Sequence, residues 1–247
     1  LGIGANTAIF SVVHGVVMQA LPYRDADRLF RLRTLYPDGT PYAVSAPDFA
    51  SLRQDVRVFD RIEAYSSLIF TMLGAGEPRE VQAVGVTDNL FDLLGLPMAE
   101  GRPFRRDEHD PGRGAVAILD HGFWSQQFGG AAVVGQTVRL GGQPYTIAGV
   151  LGPGARLPLR ADVYVPIEYG DGFSATATDG RRAEFLAVLG HAKPTVAGAA
   201  IDADLRRIGS ALETSFPQTN VRLTFMGTPM RDVVVGEART PLHILLG

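Results

Sequence analysis

Leu29-Phe30-Arg31-Leu32-Arg33-Thr34-Leu35-Tyr36 alternates apolar with polar residues and closes on Pro37-Asp38-Gly39, so it reads as a strand followed by a turn. Working outward, Ser45 and Pro47 stand where an N-cap and a first-turn proline belong. Phe49, Leu52, Val56 and Phe59 follow at steps of three, four and three, the stripe of an amphipathic helix. Residues 62–73 and 80–87 are β-like on either side of Gly74-Ala75-Gly76-Glu77-Pro78. The same grammar returns near the other end. Residues 184–191 read as a strand, and Thr195 stands where it can cap a helix striped by Ile201, Leu205, Ile208 and Leu212. Pro217 stops that helix, and residues 221–226 alternate as a strand. Two β-α-β units split by a long insert predict an α+β fold of the split ferredoxin-like kind, with helices on one face of an antiparallel sheet.

The insert has another texture. Asn89-Leu90-Phe91-Asp92-Leu93-Leu94 is a short helix closed by Gly95, and a charged loop, 102–113, leads to a strand at 115–119. Residues 121–128 form a helix ended by Gly129-Gly130, while 137–140 and 144–150 flank Gly141-Gly142, a hairpin signal. A strand at 162–167 and a mobile Gly/Thr/Asp loop at 169–182 complete a small β-rich subdomain.

The chain has 247 residues, 46% hydrophobic and 20% charged, enough for one large domain or two small ones and too apolar for disorder. A net charge of -3 lacks the basic excess of a nucleic-acid binder. The absence of cysteine removes disulfides, thiolate catalysis, Fe–S clusters and Cys-type zinc sites. Lys193, the only lysine, is followed by Pro194, so the chain holds no P-loop.

The two ends are apolar. No Asp, Glu, Lys or Arg occurs from Leu1 to Tyr23, and a bilayer core needs about 20 such residues at 1.5 Å each. Pro241-Leu242-His243-Ile244-Leu245-Leu246-Gly247 is a second apolar run. These ends are expected to be parts of two membrane spans, residues 1–22 and 237–247, bounding a loop of 217 residues from Arg24 to Thr240. Loops of that length cross largely regardless of charge, so Arg24, Arg28, Arg31 and Arg33 do not decide orientation. A buried soluble helix is the alternative for the first run. His14, inside it, is a polar group for which an interhelical hydrogen bond is expected before any proton transfer.

Chemistry-bearing motifs are sparse. Asp107-Glu108-His109-Asp110 is the one dense acid/His cluster. It could hold a divalent cation or supply an acid and a base, but consecutive residues do not converge and no second cluster completes a shell, so a solvated acidic turn is expected. His14, His109, His121, His191 and His243 are scattered, with no HExxH spacing, GxSxG elbow or GxGxxG fingerprint. Phe91, Phe123, Trp124 and Phe128 read as core aromatics, Trp124 and Phe128 sharing a helix face. The expectation is no catalytic, cofactor-binding or metal-binding residue.

Several segments in order resemble one family. They are Leu1-Gly2-Ile3-Gly4-Ala5-Asn6-Thr7-Ala8-Ile9-Phe10-Ser11-Val12-Val13, Leu21-Pro22-Tyr23 with Asp27-Arg28-Leu29, Pro47-Asp48-Phe49, Asn89-Leu90-Phe91-Asp92-Leu93-Leu94-Gly95 and Gly101-Arg102-Pro103-Phe104. His121-Gly122-Phe123-Trp124, Phe128-Gly129-Gly130, Val134-Gly135-Gln136-Thr137 and Pro144-Tyr145-Thr146-Ile147-Ala148-Gly149-Val150 continue the series. Together they resemble MacB/FtsX-type ABC transporter permeases, in the duplicated-permease subgroup common in acidobacteria. The resemblance implies a periplasmic core domain, with a porter-like α/β subdomain at 23–88 and 182–236 and an inserted sabre-like β-rich subdomain at 89–181. It implies a non-enzymatic transmitter in the bacterial inner membrane, with residues 23–240 extracytoplasmic. Its partners would be a separate cytoplasmic ABC ATPase subunit, a second permease half or a homodimeric copy, a periplasmic adaptor and membrane lipid, with no cofactor. Leu21-Pro22-Tyr23 would be a stiff joint, since Pro22 fixes its own φ and restricts its neighbour. Two alternatives stand beside this. One is a scaffolding or signalling ectodomain that recruits a cell-wall enzyme or adaptor; the other is a metal-dependent hydrolase using Asp107, Glu108, His109 and Asp110.

Overall fold

The computed structural model describes residues 21–74 and 77–236. The expected spans lie outside the described residues except for Leu21 and Pro22, as do His14 and His243. Among the described residues no helix is long and apolar enough to cross a membrane.

The chain is mixed α+β and rich in sheet. Its elements are β1 (Leu29–Leu35), β2 (Pro41–Tyr42), β3 (Val44–Ser45), α1 (Ala46–Asp55), β4 (Phe59–Leu73), β5 (Arg79–Val86), α2 (Leu90–Leu94) and β6 (Met98–Gly101). They continue with β7 (Val116–Leu119), α3 (His121–Phe128), β8 (Thr137–Leu140), β9 (Gln143–Leu151), β10 (Val163–Pro166), β11 (Glu184–Ala192), α4 (Gly198–Ser215) and β12 (Thr224–Pro229). Strands β12, β1, β11 and β4 lie side by side in that order, every neighbour antiparallel. The units β1-α1-β4 and β11-α4-β12 interleave to give this order. Ile201, Leu205, Ile208 and Leu212 of α4, with Phe49 and Leu52 of α1, are buried together with Leu32, Val188 and Ile62 from the sheet.

The first turn of α1 forms as the sequence dictates. The Ser45 hydroxyl accepts from the Asp48 amide at 3.2 Å, and Pro47 occupies a position where no amide donor is needed. The helix ends at Asp55, four residues before its expected end. The Asp204 carboxylate accepts from the Arg57 and Val58 amides at 2.7 and 3.3 Å, diverting donors that a longer helix would use, so Phe59 opens β4 instead. Thr195 does not cap α4. It lies at φ +67°, its hydroxyl bonds the Pro194 carbonyl, and the helix begins at Gly198 behind Ala197. β12 starts at Thr224 rather than 221, because Val221 and Arg222 are spent on a turn with Arg222 at φ +55°.

β4 is long enough to serve two structures. Its residues 59–65 pair with β11, while 65–72 pair with β5 and Met72 and Leu73 pair with β8. From there β4, β5, β10, β7, β9 and β8 close into a ring, each strand bonded to both neighbours. Closure leaves the ring no open edge and encloses a dry interior of Met72, Val81, Leu119, Leu140, Ile147 and Val163. The β8–β9 hairpin turns on Gly141 and Gly142, both at positive φ, as a tight two-residue connection requires. β6 hangs on the outside of β9. The outer half of β4 and all of β5 come from before residue 89, so the barrel draws two of its six strands from upstream of the expected insert.

Candidate functional site

The described chain begins at Leu21 and ends in a helical turn over 230–236, and both ends pack into the same apolar cluster. Leu21, Tyr23, Met230, Val233 and Val234 lie there against Leu29 and Leu189 of the four-stranded sheet, Val84 and Tyr164 of the barrel, and Leu90, Phe91 and Leu94 of α2. Burial pushes the Tyr23 phenol up to about 12, with Tyr65 adding to the rise and Arg156 opposing it.

Ion pairs ring this base. Asp92 on α2 accepts from Arg24 at 3.1 Å and from Arg61 on β4, joining the entering chain, the barrel-side helix and the shared strand. The backbone repeats the link where the Arg24 amide donates to the Leu94 carbonyl at 3.0 Å. His191 Nδ1 lies 2.8 Å from Asp60, and Arg231 pairs with Asp27 at 3.0 Å.

A second polar group occupies the seam between sheet and barrel. Arg53 on α1 donates to Asp88 at 2.7 Å and to the Tyr169 hydroxyl at 3.0 Å, and lies 3.5 Å from Glu63 on β4. Tyr169 donates to Asp88 at 2.8 Å, and the Thr87 hydroxyl donates to Glu63 at 2.5 Å. Burial works against the Asp88 carboxylate, but the Tyr169 and Arg53 bonds outweigh it and hold its pKa below the usual range. Glu63 goes the other way: burial lifts its pKa despite Arg53 and Thr87. Among buried groups such opposed shifts mark a network in which one charge compensates several neighbours.

The acid/His cluster folds as a 3-10 turn that separates its members. Asp107 and Asp110 face solvent. Glu108 is buried instead, taking both Arg102 nitrogens at 2.5 and 3.0 Å and the Arg105 amide at 2.7 Å. His109 is fully buried; its ring stacks on Tyr169 with centroids 5.3 Å apart, and Nδ1 lies 2.8 Å from the Ile167 carbonyl. Burial lowers its pKa, and among the described residues Nε2 has no partner, so the neutral Nδ1–H form donates to that carbonyl. Half of the expected solvated turn is therefore a structural tie between the β6–β7 connection and the segment after β10. Among the described residues no group of three or more His, Asp or Glu side chains is arranged to hold a metal.

The aromatics divide. Phe91 packs against Phe104 and Tyr164 in the base, whereas Phe123 meets Phe128 beside the barrel. Trp124 donates from Nε1 to the Ala131 carbonyl, and its ring meets His121 edge-on. The 169–182 segment is tied down rather than free: Arg181 donates to the Ala175 and Ala177 carbonyls and to Asp48. Sequence reasoning passed over Arg53, Glu63, Asp88, Tyr169 and Arg181; the only local signal was Pro47-Asp48-Phe49.

The model of the MacB-like periplasmic core domain matches residues 1–208. A comparison with curated proteins found no match. Among solved structures, a domain described as that of a permease from Porphyromonas gingivalis is similar at TM-score 0.64 and 16% identity, over 84% of this chain and 92% of that one. The periplasmic region of MacB from Actinobacillus actinomycetemcomitans gives 0.61 and 12%, over 92% and 98%. The extracellular domain of the noncanonic ABC-type transporter YknZ from Gram-positive bacteria gives 0.58 and 19%, over 80% and 99%. At these identities the structures speak for the fold alone, and it is the family match along most of the sequence that carries the assignment. This chain belongs to the MacB-like periplasmic core domain family of ABC transporter permeases.

Proposed function

We propose that this chain is the extracytoplasmic part of a permease subunit that carries an ATPase-driven conformational change outward across the inner membrane, exporting a substrate or repositioning a periplasmic partner without catalysis of its own. Residues 23–88 and 182–236 supply the porter-like lobe and 89–181 most of the sabre-like lobe, which also takes the outer half of β4 and all of β5. Residues 1–22 and 237–247 belong to the flanking spans. A separate cytoplasmic ATPase supplies the energy, and a second permease half or copy completes the pump.

The observation behind this reading is the common packing of both chain exits, Leu21–Tyr23 and 230–234, into a cluster that also holds residues of sheet and barrel. A displacement of either exit then meets one stiff body, which is what a lever between two arrangements needs. The test is a spin label at Ile69→Cys, an exposed barrel position in a chain without cysteine, in the full-length permease with its ATPase. The distance between labels in paired copies is expected to differ between ATP and ADP. Identical distributions would overturn the reading.

A second reading, recruitment of a periplasmic protein, has one observation in its favour. Tyr42, Phe185 and Val221 are each about half exposed near one end of the four-stranded sheet, away from Leu29 and Pro229 where the chain meets its exits.

A further inference from the structure

A cleft of about 820 Å³ opens beside the base. One wall is the entering and leaving chain, Leu21 to Tyr23 and Val234; the other is the 154–162 loop with Leu157 and Leu159, and the start of α3 at His121 closes the end. Its apolar wall is continuous with the base cluster, in which Leu21, Leu159 and Val234 are half-buried.

The charges in this cleft are unevenly engaged. Asp120 is occupied by the Gly122 and Phe123 amides at 2.8 and 3.2 Å, capping α3, and Asp162 accepts from the Gln82 amide at 2.9 Å. Arg156 and Arg160 are exposed, and among the described residues neither guanidinium has a hydrogen bond or ion pair. Two open guanidinium forks above an apolar wall suit a phosphate joined to acyl chains, because arginine binds phosphate oxygens in pairs while the chains need a dry surface. The location selects the source. The cleft is lined by the first described residues, which continue an uncharged run from Leu1 to Tyr23, and by Val234, a few residues before the second apolar run.

We propose that this cleft binds the headgroup of an anionic phospholipid, with Arg156 and Arg160 on the phosphate and Leu21, Leu159 and Val234 against the upper acyl carbons. The site rests on the membrane-flanked reading above and deepens it: a lipid held between the two exits would couple the outer leaflet to the lever.

The chain carries its own reporter, since its single tryptophan, Trp124, touches His121 of the cleft with ring centroids 5.3 Å apart. The purified chain in dodecyl maltoside is titrated with dihexanoyl-phosphatidylglycerol, dihexanoyl-phosphatidylcholine and inorganic phosphate while Trp124 fluorescence is followed. A saturable change with phosphatidylglycerol is expected, at least about tenfold weaker in the Arg156→Ala/Arg160→Ala variant and partly restored by Arg156→Lys/Arg160→Lys. An unchanged melting temperature in these exposed-site variants separates lost binding from lost fold. Equal affinity in the double-alanine variant, equal response to phosphatidylcholine, or saturation by inorganic phosphate at the same concentration would overturn the lipid site. Alkaline extraction of membranes bearing the full-length protein reads the anchor separately. Retention without phosphatidylglycerol binding sinks only the lipid site, whereas release of the protein sinks the membrane-flanked reading and the lipid source with it.

Discussion

Arg181 and Asp48 meet with Nη1 and Oδ1 2.5 Å apart, and neither side chain keeps more than 1% of its surface in solvent. The pair joins the point where the chain returns from the barrel to the cap of α1. Around it Ser45 and Asn220 donate to Asp48 at 2.9 and 3.0 Å, and the Arg181 guanidinium lies 3.6 Å over the Phe216 ring. A buried pair contributes little net stability, because desolvation offsets attraction, but removing one partner strands the other charge. Asp48→Ala should therefore cost about 3–5 kcal/mol in urea unfolding. Asp48→Leu with Arg181→Met should recover most of that loss. A single variant as stable as the parent would show that the pair is not held out of water.

His109 gives the fold a pH dependence with a definite sign. Burial lowers its folded pKa below that of the unfolded chain, so the unfolded state takes up a proton first as pH falls. Stability contributed by neutral His109 is complete above the ordinary histidine pKa and declines as pH drops below it, by at most about 1.4 kcal/mol per pH unit for one proton. Glu63 and Glu184, whose pKa values burial raises, run the opposite way. The comparison must therefore be differential. Melting temperatures of the parent and of His109→Phe, measured from pH 7.5 to 5, should converge as pH falls, and parallel curves would show that His109 protonates without penalty.

Local chemistry explains what the sequence reveals and what it hides. Ser45 and Pro47, Gly95 at φ +69°, Gly129 at φ +61° and the Gly141-Gly142 turn each act within a few residues, so their elements are legible in one dimension. The stripe Ile201, Leu205, Ile208, Leu212 reads equally well because one face of α4 is buried along its length. What escapes is settled between distant residues. The helical spacing runs on through Phe59, yet α1 stops where Asp204, about 147 positions away, takes the Arg57 amide. Barrel closure depends on Met72 meeting Leu140, a pairing that no turn signal encodes. Glu108 and His109 look solvated within an acidic run, and their burial depends on partners the run does not announce, Arg102 for one and Tyr169 with the Ile167 carbonyl for the other.

Gly209 shows the same conflict inside one element. A helix interior favours alanine over glycine by about 1 kcal/mol. Here, however, a Cβ would lie 2.9 Å from Thr224 Cα, backbone that cannot rotate away, so β12 packs close to α4 only because the side chain is missing. Gly209→Ala is expected to lose about 1–3 kcal/mol despite the better propensity. Gly198→Ala, at the open start of the same helix, should be neutral or slightly stabilising. Thermal melts should fall below the parent for Gly209→Ala and not for Gly198→Ala, and a stabilised Gly209→Ala would mean that the strand can retreat.

Asp92 offers a test of the proposed coupling that is separate from stability. Its partners Arg24 and Arg61 are about half exposed, as is Asp92 itself, and pairs so open to water are worth about 0–1 kcal/mol. The geometry nonetheless makes Asp92 a clasp between the entering chain, β4 and α2 at the end where both exits converge. Asp92→Ala should therefore melt within about 1 kcal/mol of the parent. In the full-length permease it should loosen the coupling of the exits to the barrel, seen as a smaller ATP-dependent change in the distance between Ile69→Cys labels. Arg24→Ala should act in the same direction, and combining it with Asp92→Ala should add little, since both remove one contact. Full label movement in Asp92→Ala, with unchanged stability, would show that the clasp takes no part in the proposed coupling.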